Sequence, residues 1–183
     1  NTGTIRQAPL LMVSPGQVNF QVPSGTAAGE AVVNLSRGSQ TIATGYLRVG
    51  SVAPALFSAN GNGQGVALGT ATMATSGTTI PLETFDSTQQ AWVPAPIDLG
   101  ADSIVTLTLY ATGVRGRSSL DNVKLTIGGT PVAVTFAGPL GQLAGVDEID
   151  AGPLPHSLSG RGPVPVVLTV DGKVSNSLTA QFK

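Results

Sequence analysis

The sequence predicts an all-β protein built from two β-sandwich units, of which the first is incomplete. Short stretches alternate apolar and polar residues with a period of two, as strands with one buried face do. Gly, Pro, Asn and Asp interrupt these stretches roughly every 8–12 residues, which is typical of sandwiches. No window of about ten residues has a helical period. We therefore expect little or no α-helix, apart from a single turn at Pro155–Ser159.

Composition limits the possible functions of the chain. Of 183 residues, 10% are charged and the net charge is −1, so charge gives no reason to bind nucleic acid or an anionic membrane. No stretch approaches the roughly 20 apolar residues of a membrane helix, so insertion into a membrane is not expected. Cysteine is absent, which excludes disulfides and thiolate chemistry. The chain begins Asn-Thr-Gly rather than with Met. We interpret this start as the processed N-terminus of an extracellular or cell-surface protein.

The predicted first unit covers residues 1–52, where a polar segment, Asn1–Gln7, precedes four strands. The strands are Leu10–Val13, Gln17–Val22, Ala31–Leu35 and Thr41–Val49. Alternation gives each of the last three an apolar inner face, formed by Val18, Phe20 and Val22, by Ala31, Val33 and Leu35, and by Leu47 and Val49. A turn at residues 36–39 predicts a hairpin between the last two strands.

The predicted second unit covers residues 53–183 and is richer in strands. We expect them at Val66–Thr75, Thr79–Phe85, Val93–Ile97, Ser103–Tyr110, Val123–Ile127, Val132–Phe136, Val164–Val170 and Ser177–Phe182. Ser103–Tyr110 has the clearest alternation. Gly128-Gly129-Thr130 and Asp171-Gly172 each predict a hairpin between the strands that flank them. Prolines spaced two apart predict an edge strand or a linker at 94 and 96, and an edge strand at 163 and 165.

An internal repeat explains why the first unit is expected to be incomplete. Residues 11–23 have an imperfect echo at residues 134–155, and similar sequence follows each copy. Aligning Thr4–Pro9 with Thr126–Pro131 makes the first unit begin in the middle of a hairpin. It then lacks a counterpart of Ser103–Tyr110. The open edge would be covered either by the second unit or by a strand from another molecule.

The order of these motifs resembles a known family. The runs PGQVNFQVP, PALFSANGNGQG, LYATGVRG and DEID, between about Pro9 and Phe182, are similar to an uncharacterised immunoglobulin-like domain at the C-termini of secreted acidobacterial proteins. The resemblance implies an extracellular β-sandwich with an immunoglobulin-like fold. Together with the internal repeat, it leads us to expect two immunoglobulin-like units, the first one incomplete. It implies no catalytic residue.

Few residues are candidates for chemistry. His156 is the only histidine and lies in a predicted turn, so a catalytic triad or a zinc site is not expected. Asp147, Glu148 and Asp150 could supply carboxylate oxygens to calcium, but a solvated strand edge accounts for them more simply. Asn60–Gly65 lacks the lysine and the helix of a phosphate-binding loop. We predict no catalytic residue, metal or cofactor.

Recognition of a sugar is the alternative function that the residues leave open. Trp92 and Tyr46 could stack on sugar rings, and the basic group Arg115–Arg117 could line a polar site. A lone tryptophan is more often a core or subunit contact. Asn34-Leu35-Ser36 also matches a glycosylation sequon.

We therefore predict a secreted structural subunit, and not an enzyme, that self-assembles by β-strand complementation. The expected product is a head-to-tail homopolymer, either an extracellular filament or a surface layer. The alternative is an extracellular adhesion or carbohydrate-binding module with a cell-surface glycan as partner. The predicted subunit contacts are Asn1, Thr2, Thr4, Ile5, Leu11, Val13, Val18, Phe20 and Val22.

Overall fold

The structure is a computed structural model that describes residues 3–100, 104–141 and 143–183. The predicted contacts Asn1 and Thr2, and Ser103 at the start of a predicted strand, lie outside the described residues. The chain divides into two compact units, Asn1–Ser51 and Val52–Lys183, hereafter unit 1 and unit 2.

Strands dominate both units, which confirms the predicted all-β class. Among the described residues, helical structure is limited to two short 3₁₀ turns, Leu120–Asn122 and His156–Leu158. The second of these lies within the predicted turn at Pro155–Ser159.

Unit 1 consists of two antiparallel hairpins. Their strands are β1 (Leu10–Ser14) and β2 (Gln17–Phe20), and β3 (Gly29–Arg37) and β4 (Gln40–Val49). Burial alternates along β3 as predicted. The predicted strand Gln17–Val22 is too long, because the pairing with β1 ends at Phe20 and Pro23, two residues further on, has no amide hydrogen. Val22 is consequently exposed.

Unit 2 contains the remaining strands. In chain order they are β5 (Ala55–Leu56), β6 (Gly69–Met73), β7 (Thr78–Pro81), β8 (Glu83–Asp86), β9 (Ala91–Pro94), β10 (Pro96–Ile97), β11 (Val105–Thr112), β12 (Val123–Ile127), β13 (Thr130–Val132), β14 (Val134–Pro139), β15 (Asp147–Ala151), β16 (Gly162–Val170) and β17 (Lys173–Phe182). The predicted strand Thr79–Phe85 is divided at the buried Leu82, because β7 pairs with β6 whereas β8 pairs with β9.

The described strands of unit 2 form two main sheets and a ribbon. The six-stranded sheet has the order β14-β15-β11-β6-β7, with β5 also paired to β11. The five-stranded sheet has the order β10-β17-β16-β12-β13, and β8 and β9 form the ribbon. Both main sheets contribute to one hydrophobic core cluster, so unit 2 is sandwich-like.

The strand β11 is central to this arrangement. It pairs with β15 on one side and with β6 and β5 on the other. Val105, Leu107 and Leu109 are fully buried, while Thr106 is exposed. The predicted inner face of this strand is therefore confirmed.

One predicted hairpin is wrong in its second strand. The Gly128-Gly129 turn joins β12 to β13 as expected, but β13 ends at Val132. The chain then crosses to the other sheet, where β14 pairs with β15. Val132, Ala133 and Val134 form an uninterrupted apolar run without a Gly, Pro, Asn or Asp, so the sequence does not mark the crossing.

The prediction of an edge strand agrees with the structure at one of the two proline pairs and is wrong at the other. Pro96 lies on β10, an edge strand as predicted. For Pro163 and Pro165 the prediction is wrong, since β16 lies between β17 and β12. Both prolines are tolerated because they lie beyond Val166, the last β16 residue in register with β12.

Candidate functional site

The internal repeat is a structural repeat, and it defines the candidate site. The β3–β4 hairpin has the register of the β16–β17 hairpin. Gly29 pairs with Val49 as Gly162 pairs with Phe182. Each hairpin also has a register irregularity next to its equivalent leucine, between Leu35 and Ser36 in one and between Val167 and Thr169 in the other.

The β1–β2 hairpin corresponds in the same way to β14–β15. Both pairs are antiparallel and both have a register irregularity in their first strand. Gly16 and Gly145 each precede the second strand. Aligning the two register irregularities places Phe20 at the position of Ala151 and Val18 at the position of Ile149, both core residues of unit 2.

Comparison of the two units shows which strands unit 1 lacks. In unit 2, β15 lies between β14 and β11, and β16 lies between β17 and β12. Within the described residues, β2 pairs only with β1, and β3 pairs only with β4. The edges of β2 and β3 that correspond to those covered by β11 and β12 are thus free of strands. We call them the open edges.

The apolar side chains of unit 1 remain accessible. No described residue before Val52 is buried, and every buried hydrophobic residue belongs to unit 2. The positions equivalent to Ala31 and Val33 are Val164 and Val166, which are buried in the core. Unit 1 therefore has the apolar pattern of the two hairpins that form part of the core in unit 2, but its own apolar side chains are not buried.

The predicted contact residues within the described chain all belong to this accessible set. Val18 and Phe20 are half-buried, and Thr4 is exposed. The others are large exposed hydrophobic residues, namely Ile5, Leu11, Val13 and Val22, with Ile5 90% exposed. Their role in a subunit contact stays a prediction.

The outer face of β3 and β4 is more polar. Glu30 lies opposite Arg48, and the Thr44 hydroxyl donates to Oδ1 of Asn34 over 2.8 Å. Tyr46, the second predicted sugar-stacking residue, is 81% exposed opposite Val32. Asn34, at the glycosylation sequon, is exposed on this face.

The acidic cluster is divided between the two faces of β15. Asp147 is buried, and its carboxylate accepts hydrogen bonds from the Val114 backbone N–H and from Nε of Arg115. Glu148 and Asp150 lie on the opposite face. Partial burial and the charge of Asp150 raise the pKa of Glu148. Among the described residues, no group of three or more His, Cys, Asp and Glu side chains has a metal-binding arrangement.

The remaining predicted candidates are dispersed over unit 2. His156 is exposed in a 3₁₀ turn. Arg115 is engaged with Asp147, so it is not free to line a polar site. Asn60 belongs to a loop in which its Oδ1 accepts from the Ser58 hydroxyl and the Asn62 N–H, as in a tight turn.

An exposed aromatic pair lies on the ribbon. Phe85 and Trp92 are directly opposite each other, with ring centroids 5.4 Å apart and a T-shaped geometry. Phe85 is 49% exposed and Trp92 is 44% exposed. The sequence indicated the tryptophan but not its aromatic partner, which depends on the register of β8 and β9.

Sequence reasoning missed two features of unit 2. Asn176 donates from Nδ2 to the Leu56 and Gly63 carbonyls and accepts from the Leu56 N–H, so it joins β17 to β5 and to the Asn60–Gly65 loop. An apolar pocket of about 350 Å³ is lined by Phe57, Leu68, Tyr110, Leu140, Leu143 and Val146. Neither feature has a sequence signal, because each joins residues distant in the chain.

Comparisons with protein-family models, with curated proteins and with solved structures gave no match to this chain. Among the described residues, no helix has the length and apolar character needed to span a membrane.

Proposed function

We propose that this protein is a structural subunit that assembles by β-strand complementation at the open edges of unit 1. The observation that carries this proposal is the contrast between the two units. The apolar residues of equivalent hairpins are buried in a sandwich-like core in unit 2, whereas in unit 1 they are half-buried or exposed. A half-built sandwich exposes both apolar surface and unpaired backbone groups.

Addition of a strand would cover the apolar surface and pair the exposed backbone groups at the same time. A strand docked against β3 pairs the free backbone groups of that edge and covers half-buried residues such as Val33 and Leu35. When the neighbour is another copy bound head to tail, the contact does not close and a filament or layer grows. Backbone ladders and apolar contacts are insensitive to salt, so such an assembly should persist at high ionic strength.

An extracellular location belongs to the same proposal. The supporting features are a surface with few charges and the resemblance to an immunoglobulin-like domain of secreted proteins. The few charges also leave little electrostatic repulsion between copies.

The test is the assembly state of the purified chain. Sedimentation velocity over a wide concentration range, at low salt and at about 1 M salt, should show salt-resistant species larger than a monomer. Negative-stain electron microscopy of the same samples should show filaments or sheets. A monodisperse species of 18.3 kDa at the highest concentration would exclude self-assembly.

A second candidate function, adhesion through a cell-surface glycan, has one specific observation in its favour. The exposed Phe85–Trp92 pair offers apolar ring surface of the kind that sugar rings stack on. A glycan array should then give saturable binding that is lost in Trp92→Ala and retained in Tyr46→Ala, which removes an exposed aromatic residue from unit 1. Equal signals from both variants would exclude the ribbon as a glycan site.

A further inference from the structure

We infer that the partner at the open edges is one extended polypeptide segment that supplies two consecutive strands with the chemistry of Val105–Ile127. This inference rests on one part of the proposed function, strand complementation at the open edges, and specifies the donor of those strands. The template is unit 2, because the same chain shows there what completes an equivalent pair of hairpins.

The first step concerns connectivity. In unit 2 the strands that cover β15 and β16 are β11 and β12, and they are consecutive in the chain. They belong to different sheets, so the single segment Val105–Ile127 crosses between the sheets. One continuous segment is therefore sufficient to occupy both open edges of unit 1.

The second step concerns register. Leu109 is paired with Ile149, and Leu125 is paired with Leu168. The register of the repeat gives Val18 and Leu35 as the unit 1 counterparts of Ile149 and Leu168. A donor should thus place one aliphatic residue opposite Val18 and another opposite Leu35.

The third step concerns the chemistry of the donor. In β11 the buried residues are aliphatic and alternate with threonine and tyrosine. In β12 the inner positions are Val123, Leu125 and Ile127, all buried. A donor therefore needs two short runs of alternating aliphatic and polar residues, without charges on the inner positions.

The fourth step concerns the state of the donor. In a folded copy, the strands of Val105–Ile127 already contribute to the core of unit 2. This segment is therefore not available to pair with the open edges of another copy. The partner is consequently a segment that is unfolded before it docks and becomes ordered in the complex.

The experiment uses the full chain and a synthetic peptide with the sequence Ile104–Ile127 as probe. Amide hydrogen exchange should slow by about tenfold or more in β2 and β3 when the peptide is added. The control peptide carries Leu107→Asp, Leu109→Asp and Leu125→Asp and should give no protection. A second arm fuses the same segment ahead of Gly3 through a flexible linker, so that a poorly soluble peptide cannot decide the result.

A matched pair of proline variants tests the edge itself. The Gly128 N–H donates to the Pro165 carbonyl, so this side of β16 faces β12, and Val32 and Asn34 have the equivalent orientation in β3. Asn34→Pro removes an N–H at the position of Val167, which pairs with β12, and should abolish protection. Val32→Pro, at the position of Pro165, should retain it.

The outcomes separate this inference from the proposed function. Protection by the peptide or by the fused segment, lost in Asn34→Pro and kept in Val32→Pro, supports the inference even if copies do not assemble. Self-assembly with no protection by either form of the segment overturns the inference and leaves the proposed function standing. Protection of β2 and β3 that requires a second copy of the chain, and that neither the peptide nor the fused segment gives, also overturns the inference.

Discussion

Leu35 and Leu168 occupy the same position in two copies of one hairpin, yet only Leu168 is buried. Leu168 lies opposite Leu125 of β12, whereas the described part of unit 1 has no strand in the place of β12. The difference between the two leucines therefore comes from their neighbours and not from their own sequence or strand pairing.

This contrast predicts unequal costs for the same truncation. Leu168→Ala should lower the free energy of unfolding of unit 2 by about 2–5 kcal/mol, because it leaves a cavity in a closed core. Leu35→Ala should change the stability of the isolated chain by less than about 1 kcal/mol. Chemical denaturation of both variants checks this, and equal costs would mean that Leu35 is covered in the isolated chain.

Two glycines in strands should respond in opposite ways to alanine. A Cβ at Gly69 would lie 2.4 Å from the backbone oxygen of Thr108, so β6 could no longer approach β11. We expect Gly69→Ala to cost more than about 2 kcal/mol. At Gly45 nothing lies within 4 Å of the added atom, and Gly45→Ala should be neutral or slightly stabilising. Thermal unfolding of the two variants measures the contrast.

Asp147 should tolerate an amide better than truncation. Alanine would leave the buried Val114 N–H without its acceptor and Arg115 without its carboxylate, at a cost of about 3 kcal/mol. Asparagine keeps one acceptor oxygen, and the side chain of Arg115 is 40% exposed to water. Asp147→Asn should therefore lower the free energy of unfolding about half as much as Asp147→Ala. Equal losses in urea denaturation would show that charge rather than hydrogen bonding matters here.

Asp171 should make part of the stability acid-sensitive. The Ser118 hydroxyl, at 2.5 Å, and the Ser118 N–H lower the pKa of Asp171 in the folded protein. Its stabilising contribution is present above the usual pKa and is lost as the pH falls through the lowered value.

Ser118→Ala should therefore move the pKa of Asp171 upward and reduce the dependence of stability on pH in that acidic range. Carboxyl titration by NMR measures the pKa directly. Ser157→Ala, at an exposed serine in the second 3₁₀ turn, is the control and should leave the titration unchanged. An unaltered pKa in Ser118→Ala would contradict the assigned cause.

Much of the fold was predictable because strands are specified locally. Alternation along Val105–Tyr110 and the turn at Asp171-Gly172 depend only on neighbouring residues, and both agree with the structure. The crossing at Ala133 was not predictable, since no turn residue interrupts the apolar run Val132–Val134 where the chain changes sheet. The same holds for Phe85 opposite Trp92, because a register between strands leaves no periodic signal.

By itself, the sequence determined the all-β class, the repeat and the inner faces of β3 and β11, because the period of two and turn chemistry are local properties. Tertiary structure decided which of those faces are buried. Equivalent hairpins meet β11 and β12 in unit 2 and no described counterpart in unit 1. Burial depends on neighbours that are remote in the chain, and only their arrangement in space distinguishes a completed core from an open one.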